Sequence, residues 1–365
     1  MARTKKTLPQ KFFGKHRPPL VELPNLVESQ LASFEQLVRE GAAKVFKEFS
    51  PISDHAGKKF TLELARFTFG EPRWDEQYAK DHMKTYEAPL SVVAKLKNKT
   101  SGSEKEQEIF VADFPWMTKH GTFIINGVER IVVPQLARSY GVFFEAVPYK
   151  GKNYFAGKVI PSRGVWIEIE SDPDGGIYVK IDRKRRFPVT SLLRVLGAHT
   201  DKDILGEFKA GPAHEAIQAT LAADSAKSVQ EAYIEIYRRL RDGDIATGNA
   251  AEDHVTSILS AERYDLSKVG RFHFNRRWGL PTEEKDLAGQ TLTLDDMVRI
   301  VAHIAELNAT PGAVADDIDH LGFRRVRFVG ELLEQRMRIG LSRMKRNIQD
   351  RMAMVDVETT LPVQF

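Results

Sequence analysis

Between Phe60 and Asp182 apolar residues recur at every second position, and from Ser228 onward they recur at every third or fourth. A pleated strand sends alternate side chains to opposite faces, whereas a helix stacks positions i, i+3 and i+4. A chain that carries both periods in separate blocks is constrained to an α+β fold, with antiparallel strands early and helices late. Phe60, Leu62 and Leu64 alternate, and Phe67 and Phe69 continue one step out of phase, which predicts a bulged strand. Leu90, Val92, Ala94 and Leu96 give a second half-buried strand, and Glu108 to Val111 a third. From Phe123 to Val133 two β-rich runs flank Asn126-Gly127, a pair that accepts the positive φ angles of a type I′ hairpin turn. Another hairpin joins Val165, Ile167 and Ile169 to Ile177, Val179 and Ile181 through the turn residues 171–176.

The helices carry their own punctuation. Asn25 is placed to cap the first, with Glu28 three residues on, Val27, Leu31, Phe34 and Val38 at helical spacing, and Gly41 to close it in a left-handed conformation. Ser228 with Glu231 opens a second, and Thr293 opens a third whose face is Met297, Ile300, Val301, Ile304 and Leu307. A long final helix is predicted from near Arg325, with Val329, Leu332, Leu333, Met337, Leu341, Met344 and Ile348 in one stripe. At 365 residues the chain is long enough for two domains of ordinary size. It has no cysteine, which removes disulfides, thiolate metal sites and cysteine nucleophiles together. No apolar run approaches the roughly 20 residues of a membrane helix, so no membrane role is expected. Residues 1–19 carry six cations and no acid, and read as a basic arm on a chain whose net charge is +4.

No catalytic constellation is visible. The stretch Gly151 to Lys158 superficially resembles a phosphate loop, but five residues separate its glycines and Val159 stands where a hydroxyl should hold magnesium. Turn chemistry explains it better. Asp316, Asp317, Asp319 and His320 could be drawn as a cation site; acids in front of a helix also suit its dipole. The hairpin at 165–182 is more informative, because its aliphatic set must face the core. Trp166, Glu168 and Glu170 then share the outer face with Tyr178, Lys180 and Asp182. A tryptophan there either stacks on an unpaired base or is covered by another element. Arg183 to Arg186 and the arginine-rich stretch 324–346 suit either phosphate contact or a solvated face.

Several of these segments together resemble one family, the bacterial RNA polymerase beta subunit in its N-terminal part. They are Phe114 to Leu136, Ile160 to Trp166, Val179 to Val189, Val269 to Arg276 and Asp316 to Arg325, in the family's order. The resemblance implies a protrusion domain at 20–145 and 310–365, with a lobe domain inserted at 146–309. It implies a cytoplasmic, nucleoid-associated chain that is not an enzyme by itself. The catalytic magnesium belongs to another polymerase subunit, so no cofactor is expected here. Because the chain stops before the family's main rifamycin-resistance segment, an inactive fragment or part of a split subunit is expected.

The partners so implied are the beta-prime, alpha and sigma subunits, and the non-template DNA strand. Carried over position by position, DNA contact falls on Arg138, Trp166, Asp182, Arg276, Ile318, Asp319 and Arg324. In that role Trp166 stacks on a base, while Asp182 and Asp319 accept hydrogen bonds from a guanine edge. A second surface, Glu104-Lys105-Glu106 running into Gln107 and Glu108, matches the edge strand that accepts a Tudor-like domain of the transcription-repair coupling factor or of CarD-like regulators. Read from its residues alone, the same strand is equally a solvated acidic one. Arg130, Val133 and Gln135 match a minor edge of the rifamycin pocket, and Pro134 departs from the family's usual serine. A stand-alone regulator built on the same fold is the alternative function.

Overall fold

The alternation in the first half of the chain produces strands, in two separate sheets. The computed structural model describes residues 24–241, 247–354 and 361–364; the basic arm at 1–19 lies outside them. The chain divides into two compact units, Leu136–Val326 being inserted between Met1–Gln135 and Arg327–Phe365. The architecture is α+β, with antiparallel sheets and most helices in the second half.

In the first unit, α1 (Glu28–Gln36) passes through a π-helical turn, Leu37–Gly41, into α2 (Ala42–Phe49) without a break. This corrects two expectations. Asn25 does accept the Val27 N–H at 3.1 Å, but the position before the helix is Val27 and no side chain caps it. Gly41 is right-handed, with φ −61°. It is small because space is short: a Cβ there would stand 3.2 Å from Leu37 Cδ1. The sheet follows, β1 (Ile52–Ser53), β2 (Phe60–Phe69), β3 (Glu87–Asn98) and β4 (Glu104–Pro115), paired in that order with α3 (Glu76–Asp81) between β2 and β3. The expected bulge lies between Leu64 and Arg66. Phe60, Leu62, Leu90, Val92, Ala94 and Leu96 form the buried face. Strands β5 (Phe123–Ile125) and β6 (Val128–Arg130) close the Asn126-Gly127 hairpin, with φ angles of 51° and 77°. Pairing stops at Arg130 rather than running on to Val133.

The inserted unit opens with β7 (Gln135–Arg138) and closes with β13 (Arg324–Arg327), and these two strands pair. Between them β8 (Gly141–Tyr149), β9 (Lys152–Ile160), β10 (Ile167–Ser171), β11 (Ile177–Ile181) and β12 (Phe187–Pro188) form one antiparallel sheet in the order β12-β11-β10-β9-β8. Lys150 and Gly151 take φ 48° and 81° at the β8–β9 turn, so the phosphate-loop look-alike is a hairpin. The helices are α4 (Val189–Leu196), α5 (Asp201–Glu207), α6 (Pro212–Ala223), α7 (Val229–Leu240), α8 (Gly248–Leu259), α9 (Ser267–Arg277) and α10 (Leu294–Ala309). Ile167, Ile169, Ile177, Val179 and Ile181 are buried with Leu192, Ile217, Ile236, Ile300 and Ile304. Thr293 and Asp296 form a full capping box at the start of α10. Asp296 also takes a bidentate pair from Arg271, at 2.8 and 2.9 Å, deep in the interior. The unit boundaries differ from the expected 145/146 and 309/310. Strand β8 pairs with β9 along its whole length, and Asp316 bonds back to Phe144, so both segments belong to the insert.

The chain then returns to the first unit with α11 (Val329–Met354). It starts at Val329 rather than near Arg325, because β13 takes up 324–327. Gln30 Oε1 accepts the Val329 N–H at 3.1 Å, and Ser33 Oγ accepts that of Gly330 at 3.0 Å. Two orphan donors of the first turn are thereby satisfied by α1. Gly330 is required by the crossing: a Cβ there would lie 2.1 Å from the Ser33 carbonyl oxygen. Further along, Leu341, Ile348 and Met352 join Val45, Phe46 and Ile52 over the sheet.

Candidate nucleic-acid interface

All seven residues expected to meet DNA lie in the inserted unit, in two groups. The first is built by the β10–β11 hairpin. Its register sets Ile167 opposite Ile181, Glu168 opposite Lys180 and Glu170 opposite Tyr178, so the polar residues share the outer face. Lys180 Nζ reaches Glu170 Oε1 at 2.6 Å. One step beyond the strands the Asp182 N–H donates to the Trp166 carbonyl at 2.9 Å, which holds these two residues side by side. Asp182 and Arg183 then take φ 53° and 55°, and the Lys184 N–H closes the turn on Ile181 O at 3.1 Å. Aspartate tolerates this left-handed region; for an arginine it is uncommon.

The turn has a consequence for the indole. It brings the Arg183 guanidinium 5.2 Å from the centre of the Trp166 ring. Arg186 likewise stands 4.6 Å from the Tyr178 ring and 2.9 Å from Asp172. Part of the basic run is thus folded back onto aromatic faces rather than free in solvent. Trp166 is half-buried and shares its ring with Arg183, while Asp182 is exposed. Cation–π contact of this kind contributes about 0.5–1 kcal/mol at an exposed site, so an incoming base can displace the guanidinium or stack on the opposite face.

The second group surrounds a cavity of about 550 Å³ lined by His273, Arg276 and Arg277 from α9, Phe143 from β8, and Asp317, His320 and Phe323. Arg276 is exposed at the helix end. Burial first, and the Arg276 charge second, hold the His273 imidazole below its ordinary pKa. Every acid of the 316–320 cluster has a protein partner. Asp316 Oδ2 accepts from the Phe144 N–H at 2.8 Å and from Arg277 at 2.6 Å. Asp317 Oδ1 accepts the Asp319 N–H at 3.1 Å, and Asp319 pairs with Arg324 at 2.8 Å. His320 Nδ1 accepts the Gly322 N–H at 3.0 Å and closes the 3-10 turn Leu321–Phe323. The acids therefore lead into a 3-10 turn and strand β13, not directly into a helix. Ile318 is half-buried among them. Arg138 stands 3.5 Å from Glu145, which also holds Lys158 at 2.5 Å.

No hydrogen bond, ion pair or ring contact among the described residues joins the Trp166–Asp182 group to the Arg276–Arg324 group. The sequence reading missed Arg277 and His273, and took Arg183 only as one member of a basic run. Arg183 had a visible signal, its place directly after Asp182, but nothing in the letters announces that both residues turn left-handed.

The remaining sites lie in the first unit. Strand β4 is the edge of its sheet, hydrogen-bonded on one side to β3. Glu104, Glu106 and Glu108 are exposed and Lys105 and Gln107 half-buried, with Glu106 3.3 Å from Lys95 across the ladder. The 3-10 turn Pro362–Gln364 packs against β3 and β4. Arg130, Val133 and Gln135 follow one another along the exposed segment from β6 into β7.

Comparison with known proteins places the chain among relatives. The family described as RNA polymerase Rpb2, domain 2, matches residues 138–327, just over half of the chain. DNA-directed RNA polymerase subunit beta of Chloroflexus aggregans is 42% identical over 374 aligned positions, covering 94% of this chain and 30% of that protein. The subunit of the same name from Syntrophomonas wolfei is 40% identical over 346 positions, with the same two coverages. The chain thus spans about 30% of the length of these relatives.

Proposed function

The chain belongs to the RNA polymerase Rpb2 domain 2 family, and on that premise we propose that it works within a DNA-directed RNA polymerase beta subunit as a scaffold that lines the downstream DNA channel. In this reading the inserted unit is the lobe and the remainder is the protrusion. The lobe reads the non-template strand: Trp166 stacks on an unpaired base and Asp182 accepts hydrogen bonds from a guanine edge. Arg276, Arg324 and Arg138 hold phosphate or base, with Ile318 and Asp319 beside them. The observation that carries this is the pairing of Trp166 with Asp182 at the end of one hairpin. A carboxylate next to a polyanion is unfavourable unless it meets base donors, so this pair favours base reading over phosphate contact.

Fluorescence anisotropy with a guanine-containing single-stranded oligonucleotide tests it. Stacking is worth about 1–3 kcal/mol per base, so Trp166→Ala should weaken binding by roughly ten-fold or more. Asp182→Asn should erase the preference for guanine over adenine. Equal affinity of wild type and both variants for both oligonucleotides would sink the proposal. Assembly with beta-prime, alpha and sigma subunits is tested by pull-down of the purified chain. We assign it no catalytic group of its own, and nucleotide addition by the isolated chain with magnesium would overturn that.

The protrusion adds factor docking by strand addition at Glu104–Glu108. The edge position of β4 supports it, since a partner strand added at a sheet edge can extend the ladder. Binding of a Tudor-like domain should be lost on charge reversal at Glu104 and Glu106; undiminished binding would rule this edge out.

A further inference from the structure

At the far end of the inserted unit's sheet, the β8–β9 turn and the β10–β11 turn project side by side and enclose a pocket of about 340 Å³. That volume lies at the small end of the ~300–1,000 Å³ typical of ligand sites. Its floor is Phe155 and Ala156, both buried. Its walls are Val147, Tyr149 and Tyr154, the first two half exposed, and the tyrosine rings meet edge to face at 6.3 Å. Lys150 lies over the Tyr149 ring at 5.2 Å and Lys152 over that of Tyr154 at 5.5 Å. Glu170 and Asp172 complete the wall, tied to Lys180 and Arg186.

We infer that this pocket receives an acidic segment of a partner protein, seating one aromatic side chain against Tyr149 and Tyr154 while flanking carboxylates meet Lys150 and Lys152. Charge complementarity selects the occupant. The two lysines are exposed and lie over the rings of Tyr149 and Tyr154, where they attract acids. The carboxylates inside can accept peptide N–H groups, donors that a phosphodiester backbone does not offer. None of the seven residues assigned to DNA contact lines this pocket, and the inference does not depend on the polymerase reading.

The probe is a labelled, amidated peptide Glu-Asp-Phe-Asp-Glu, titrated by anisotropy with the whole chain at about 50 and about 300 mM salt. Saturable binding that weakens with salt is expected. Lys150→Glu with Lys152→Glu should weaken it about ten-fold, since two attractions become repulsions. Tyr149→Ala, and glycine in place of the peptide's phenylalanine, should each weaken it as well. The three substituted side chains are exposed, and circular dichroism checks that the fold persists. Absence of saturable binding at millimolar peptide overturns the inference. So does binding indifferent to all of these changes. Tighter binding of a twelve-residue oligothymidylate, lost in the lysine double variant, overturns it in favour of nucleic acid.

Discussion

Both units set one face of an antiparallel sheet against helices, yet they treat the opposite face differently. On the outward side of β3 and β4, Lys97 stands opposite Glu104 and Lys95 opposite Glu106, a ladder of alternating charge. On the outward side of β8 to β11, Trp166, Tyr178, Tyr149 and Tyr154 are each faced by a lysine or arginine. A charge ladder keeps a face wet and offers little to grip, which is why the proposed docking falls on the strand edge. An aromatic face with cations above it offers π surface and charge together, which is why the proposed recognition falls on the face itself.

The contrast extends to what holds each unit together, and this can be broken experimentally. The insert depends on a buried ion pair. Arg271→Ala should leave Asp296 buried and uncompensated, at a cost of about 3–5 kcal/mol. Hydrogen exchange resolved by unit should show the loss in Leu136–Val326. The first unit depends on a close helix crossing instead. Gly330→Ala must push α11 away from Ser33, an overpacking cost of about 1–3 kcal/mol, and exchange should rise around α1 and α11.

Acid should separate the units more gently. Burial first, with Arg276 and Arg277 second, holds His273 and His303 in the insert below their ordinary value of 6.5. The unfolded chain therefore takes up protons before the folded one does, and this stability, complete above pH 6.5, is lost as pH falls below it. Asp54 in the first unit behaves as a depressed carboxylate. Burial would raise it, but N–H donation from Phe60, Lys59 and Lys58 outweighs that. Its contribution persists down to about its ordinary 3.8 and is lost only below. Protection from exchange, relative to the intrinsic rate at each pH, should fall between pH 7 and 5 in the insert and not in the β1–β2 region. The smallest effect is expected on the charge ladder, where Glu106→Gln should change stability by no more than about 0.5 kcal/mol in a denaturant titration.

The fold was legible where local chemistry decides. Ile167, Ile169, Ile177, Val179 and Ile181 alternate because a pleat demands it, and all five are buried. Asn126-Gly127 gave its turn, and Thr293 its helix start. What escaped was set by distant neighbours. Gly41 reads as a helix end by its own propensity, but the helix runs on because α2 and α11 bury the next turn. The site was half legible. Periodicity put Trp166 and Asp182 on one face, while the seating of Arg183 on the indole depends on a left-handed pair that arginine does not advertise. Arg277 and His273 were hidden for another reason: the cavity they line is made by three segments, 142–143, 273–277 and 317–323, far apart in sequence.

The crossing of α1 with α11 also bears on biosynthesis. Gln30 and Val329 touch across 299 positions of sequence, so the N-terminal helices leave the ribosome long before the element that covers them. At roughly 5–20 residues per second, they wait tens of seconds with the surfaces that meet Val329, Leu341, Ile348 and Met352 uncovered. The intervening stretch, 136–326, can meanwhile complete its own sheet and core. Nascent chains should therefore recruit holdase chaperones at the segment carrying α1 and α2, and the inserted unit should mature before that segment does.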